Sequence, residues 1–176
     1  MRGACMQPAR IVLISQAIMQ VLLISTTIAL LAGMVPPACA ADPFYIGSWK
    51  ITSAAVAPWQ DGQPHRDDLG EMKSLVDKTI VIQLKAIVGP HAVACKGPHY
   101  QVKDYPADML FQGAFGEMHL RDKSADPAKI AAKLGFRGSS WKTLETGCGN
   151  ELDYHFLDPG TAAFGLNNYV YTLKKQ

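Results

Sequence analysis

Glu151-Leu152-Asp153-Tyr154-His155-Phe156 alternates strictly, with Leu152, Tyr154 and Phe156 on one side and Glu151, Asp153 and His155 on the other. Period-two alternation is the mark of a strand buried on one face. It predicts that Asp153 and His155 share a solvated face. Asp158-Pro159-Gly160 follows as a turn, and then Ala162–Leu166 and Tyr169–Leu173 flank Asn167-Asn168. Asparagine tolerates positive φ, so these two segments predict a hairpin closed by a two-residue turn.

Upstream, the segment 44–56 is rich in β-formers and free of proline until Pro58, and it predicts a long first strand. Residues 57–70 carry Gly, Pro, Asp and His and predict a surface loop. Trp59 and His65 are its candidate contact residues, because a large aromatic in a polar loop suits a contact point; the alternative for Trp59, and the favoured one, is that it folds back onto the barrel. Lys78 to Val88 alternates through Ile80, Ile82 and Leu84 and ends at Gly89-Pro90, which predicts one strand. His99–Asp104 and Met109–Leu120 predict two more, with Gly113 and Gly116 marking bends or bulges in the second. One helix is expected at Pro127–Leu134, capped by Asp126, with Pro127 in its first turn and Gly135 just past its end. About eight strands and one short helix predict a mostly β domain, a small antiparallel β-barrel in which closure removes exposed edges.

The first forty residues follow another logic. Arg2 and Arg10 are the only charges before Asp42, Val21–Leu31 is an apolar run, and Pro36-Pro37 is followed by Ala38-Cys39-Ala40. A basic start, a short apolar run and small residues at a cleavage site predict a secretory signal peptide at 1–40. An uncleaved membrane anchor is the rival reading, which the prolines and the small residues disfavour. The expected working protein is a single β-rich domain, 41–176, periplasmic or secreted, that does not span a membrane.

Removing 1–40 takes two of the 17 basic residues and none of the 15 acidic ones, so the remainder is formally neutral. A neutral chain has no counterion-release drive toward nucleic acid, and that class of partner is disfavoured. Of the 4 cysteines, Cys5 and Cys39 fall within 1–40, leaving Cys95 and Cys148. In an oxidising compartment these two most simply form one disulfide. Closing a loop of about 50 residues contributes roughly 3–4 kcal/mol in the chain-entropy picture.

Gly47-Ser48-Trp49 resembles the G-x-W that opens lipocalins and related calycin barrels. The resemblance implies a glycine that lets the backbone bend and a tryptophan packed across the closed end of the barrel. A wider set is similar to a loose group of exported proteobacterial proteins that carries no activity to transfer. It comprises Gly47-Ser48-Trp49, Ala94-Cys95-Lys96 with Tyr100, Phe111-Gln112-Gly113, Tyr154-His155-Phe156, and Asn168 with Tyr169 and Leu173.

No catalytic constellation emerges. His91, Cys95 and His99 have metal-ligand residue types at four-residue spacing, but Pro90, Gly97 and Pro98 oppose the helix on which they would converge, so no metal is expected. Ser139-Ser140 lacks G-x-S-x-G, and Gly147-Cys148-Gly149-Asn150 lacks the Lys-Ser/Thr end of a phosphate loop. No cofactor is expected. The sequence points to a non-enzymatic binding module holding a small apolar or amphipathic molecule in the barrel mouth. The alternative is an envelope-protein partner, as for an inhibitor of a secreted hydrolase.

Overall fold

The computed structural model describes residues 43–60 and 69–176, which belong to one compact unit, Ala40–Gln176. The segment read as a signal peptide, and His65, lie outside the described residues. Nine strands form one antiparallel sheet: β1 Gly47–Val56, β2 Thr79–Gln83, β3 Ala86–Val88, β4 Cys95–Lys96, β5 Gln101–Tyr105, β6 Trp141–Glu145, β7 Asp153–Asp158, β8 Thr161–Leu166 and β9 Tyr169–Lys175. Among the described residues three helices accompany it: α1 Leu69–Leu75, α2 Leu110–Arg121 and α3 Pro127–Lys133. Short 3-10 turns stand at Pro58–Gln60 and Ala107–Met109.

The spatial order is β4-β3-β2-β1-β9-β8-β7-β6-β5, so the sheet curls as a barrel-like meander. Its two edges, β4 and β5, are consecutive in sequence. The Cys95–Cys148 disulfide ties β4 to the β6–β7 loop, and the His99 amide donates to the Thr146 carbonyl at 2.8 Å on the same seam. Gly47 takes φ +132°, a glycine conformation, at the start of β1. Two residues later Trp49 is wholly buried, its Nε1 donating to the Tyr45 carbonyl and Lys175 Nζ lying 5.4 Å from its ring centroid.

Alternation along the strands divides the buried residues into two layers. Trp49, Ile51, Ile80, Ile82, Leu144, Tyr154, Phe156, Phe164, Tyr171 and Leu173 fill the interior of the curl. On the outer face Ala163, Val170 and Trp141 pack under Phe111, Phe115, Ala131 and Phe136 from the helical segment. The outer layer explains the first correction. Met109–Leu120 is not a strand: it is a 3-10 turn followed by α2, in which Phe111 and Phe115, four apart, are both buried. Its glycines are not bulges. Gly113 holds φ +80°, and a Cβ on Gly116 would stand 2.9 Å from the Asp108 carbonyl oxygen.

The same cover corrects the outer face of β7. His155, expected in solvent, is 0% exposed because α2 lies on it, and Asp153 is partly buried. The Lys78–Val88 strand is instead a hairpin, β2 and β3, with Gln83 opposite Ala86 and Leu84-Lys85 turning between them. Leu84 therefore leaves the apolar face and is exposed. The loop expected at 57–70 includes the first residues of α1, whose Glu71 accepts from the Tyr171 hydroxyl at 2.9 Å and so fixes the helix to β9. The expected helix at 127–134 is α3: Asp126 Oδ1 accepts from the Ala128 and Lys129 amides, and Gly135 follows at φ +92°.

Candidate functional site

The β8–β9 hairpin turns on Asn167-Asn168, with Leu166 opposite Tyr169 and Asn167 at φ +49°. Turning there exposes two carbonyls to the 57–60 segment. The Asn168 carbonyl accepts from the Ala57 amide at 2.9 Å, and the Asn167 carbonyl from Trp59 Nε1 at 3.1 Å. Trp59 is thereby laid over Gly165 of β8. A Cβ on Gly165 would come within 2.9 Å of Trp59 Cη2 and 3.2 Å of Phe111 Cδ1, so only glycine admits both rings. The Trp59 and Phe111 centroids stand 5.5 Å apart, and Phe115 backs them.

Phe111, Gln112 and Gly113 are all left-handed, at φ +52°, +55° and +80°. Such a conformation is costly for Phe and Gln and persists only where the surroundings over-determine it. Two side-chain contacts from outside the turn hold it. The Phe111 amide donates to His155 Nε2 at 2.9 Å, and Gln112 Nε2 donates to the Glu151 carbonyl at 3.0 Å. Because His155 Nε2 accepts, the imidazole is neutral with its proton on Nδ1, which donates to Thr143 Oγ1 at 2.8 Å. Burial pushes the His155 pKa down to about 3, so this arrangement is kept across the ordinary pH range.

Beside the turn, Asp153 and Glu145 face each other across β7 and β6. The Tyr105 hydroxyl donates to Glu145 in a very short contact, and Lys103 Nζ lies 2.8 Å from Glu145 Oε2. Lys103 and Tyr105 hold the Glu145 pKa below the usual carboxylate range. Burial, then the charge of Glu145, raises Asp153 to about 6. Burial, then the bond to Glu145, raises Tyr105 to about 12.

Over the left-handed turn opens a cleft of about 350 Å³. Trp59, Phe111 and Gly165 form its floor, and Gln112 and Ala114 its wall. Glu117, Arg121 and Asn167 stand round its rim. Among the described residues, no ion pair or hydrogen bond engages the Glu117 and Arg121 side chains. Gln112 and Asn167 give their amide nitrogens to Glu151 and Glu71, and among the described residues no hydrogen bond reaches their amide oxygens.

Of the residues singled out in the sequence, Trp59 belongs to this cleft. Trp49 belongs to the interior, Gly47 is half-buried at the start of β1, and Cys95 and Cys148 are bonded to each other, with Cα atoms 6.0 Å apart. His91 and His99 are both exposed, and His99 packs on Gly147. Sequence reasoning missed Glu117, Arg121 and Asn167 as cleft residues, and it missed the role of His155. The Phe111-Gln112-Gly113 string was the one available signal, but its geometry depends on partners 39 and 44 residues away. Compared with known proteins, the chain matches no family model, no curated protein and no solved structure.

Proposed function

We propose that the protein is a non-enzymatic, exported binding module for a small amphipathic ligand, held in the Trp59–α2 cleft rather than in the barrel mouth. The observation that carries this reading is the cleft itself. An aromatic floor with a few convergent polar side chains, of which Glu117 and Arg121 engage no protein partner among the described residues, is the usual make-up of a ligand pocket. The interior of the curl favours the outer position, since Trp49, Tyr154, Phe164 and Tyr171 occupy it and are almost wholly buried. Export is supported by the signal-like segment at 1–40 and by the disulfide, which persists in oxidising compartments. No helix among the described residues is long and apolar enough to cross a membrane.

A native mass spectrum tests both parts. The expected protein mass is that of residues 41–176 with one disulfide. After incubation with a small-molecule extract of the host envelope, an added mass that leaves on denaturation is expected for the natural protein and not for Trp59→Ala. An adduct retained by Trp59→Ala, or no adduct on either protein, would overturn the cleft as the binding site. A protein-docking reading has its own observation. β5 is a terminal strand paired only with β6, and its first four residues are exposed, Val102 among them, so a partner strand could add to it.

A further inference from the structure

We infer that the ligand of this cleft is a neutral saccharide whose pyranose ring stacks on Trp59 and whose hydroxyls are read by Gln112, Glu117, Arg121 and Asn167. The inference rests on the binding reading above and names its ligand class. Three observations carry it. The first is the aromatic floor: Phe111 is 2% exposed, so its ring supports the indole of Trp59 from beneath and offers little surface itself. A single half-buried indole matches the apolar C–H face of one sugar ring. It does not match an acyl chain, which needs a deep apolar channel.

The second observation is the chemistry of the rim. The polar groups are planar: two amides, a carboxylate and a guanidinium. A carboxylate or guanidinium offers two coplanar hydrogen-bonding positions, which suits the paired hydroxyls on adjacent sugar carbons. Acceptors and a donor are both present, as hydroxyls that both give and receive require. The amide oxygens of Gln112 and Asn167 and the Glu117 carboxylate accept, and Arg121 donates.

The third is charge. Glu117 and Arg121 lie four residues apart, one turn of α2, and cancel each other at the rim. A phosphate or fatty-acid head group would meet Glu117 as well as Arg121, whereas a neutral polyol can use both. The Gly113 bend and the His155 contact hold Phe111 and Gln112 in place before any ligand arrives. This fixes the floor and one wall and lowers the ordering cost of binding.

The test is a titration of the purified, ¹⁵N-labelled protein followed by its amide and indole N–H signals. The saccharide probes are methyl β-D-glucopyranoside, N-acetylglucosamine and its β-1,4-linked trimer, each taken to about 50 mM, with octanoate and indole as non-sugar probes. Saccharides are expected to move the Trp59 indole and the Gln112 and Asn167 side-chain amides. Glu117→Ala with Arg121→Ala, both at exposed positions, should weaken that binding at least about tenfold with the remaining spectrum unchanged. If octanoate or indole moves these signals and no saccharide does, the saccharide inference fails while the binding reading stands. If no probe of either kind moves them, both fall. Saccharide shifts that survive the double substitution would also overturn the inference.

Discussion

His155 and Asp153, two residues apart on β7, are both perturbed, and in opposite senses for folding. His155 is neutral when folded and protonates near its ordinary value of 6.5 when unfolded. Between about pH 3 and 6.5 the unfolded chain therefore binds more protons at this site, and stability rises with pH by up to about 1.4 kcal/mol per unit. Asp153 does the reverse. Its folded pKa of about 6 lies above the ordinary 3.8, so in that interval the folded state holds the proton and stability falls as pH rises. The two slopes oppose each other across the range they share. Asp153→Asn removes the falling component, keeps the shape of the group and ends its repulsion with Glu145. The expected outcome is a variant more stable than the natural protein at pH 7 and close to it at pH 4, measured by urea unfolding at both values. Equal effects at the two values would show that Asp153 titrates normally. None of this is legible in the Asp-Tyr-His string, because alternation places both side chains on one face and is silent about whether a helix covers that face.

At the scale of elements, the segments that could be read were those whose signals are local. α3 carries its own cap, first-turn proline and terminal glycine within ten residues, and the β8–β9 hairpin carries its own turn pair. α2 carries neither. Its capping position, Met109, has no capping side chain, and its first turn runs left-handed against the preference of Phe and Gln. The helix exists because Phe111 and Phe115 bury themselves against β7 and β8 and because His155 and Glu151 receive the turn. The β2–β3 turn was hidden for a related reason: Leu84 and Lys85 bear no turn signature, and neither takes positive φ. Gly113 is where the cost of the left-handed turn is least. Gly113→Ala places a Cβ at φ +80° with open space around it, its nearest atom being the Asp108 oxygen at 3.8 Å. The expected loss is therefore the backbone cost alone, about 1–2 kcal/mol in urea or thermal unfolding. A loss below about 0.5 kcal/mol would mean that the turn relaxes to a right-handed start.

Over the whole molecule, the sequence carried the class of fold but not its second layer. Alternation in β2 and β7 named part of the inner layer, including Ile80, Ile82, Tyr154 and Phe156. The outer layer is built from Phe111, Phe115, Phe136 and Trp141, and these meet only once the sheet has curled. The candidate site lies in that outer layer, so Trp59 was recognisable as unusual while its companions were not. The disulfide acts at this scale too, since it spans 53 residues and fastens the edge strand β4 to the β6–β7 loop. Cys95→Ser with Cys148→Ser is expected to lower stability by about 2–4 kcal/mol. Unfolding of the oxidised protein with and without reductant, beside the double variant, measures this. An unchanged midpoint on reduction would show that the disulfide adds nothing to the stability of the seam.

The register of the sheet also sets an order of events. Apart from β1 with β9, each strand pairing joins consecutive strands and can form as soon as two neighbours exist. β1 must wait for a partner more than a hundred residues later: Trp49 lies opposite Lys175, and Val56 opposite Tyr169. During synthesis, therefore, β1 can gain β2 but leaves its other edge open until nearly the whole domain has emerged. Joining such distant partners is the slow kind of closure, because loop entropy is lost before the contact is gained. A chain stalled before residue 169 would present β1, carrying Trp49 and Ile51, with its β9 edge open, the species most apt to be captured by a chaperone or to aggregate.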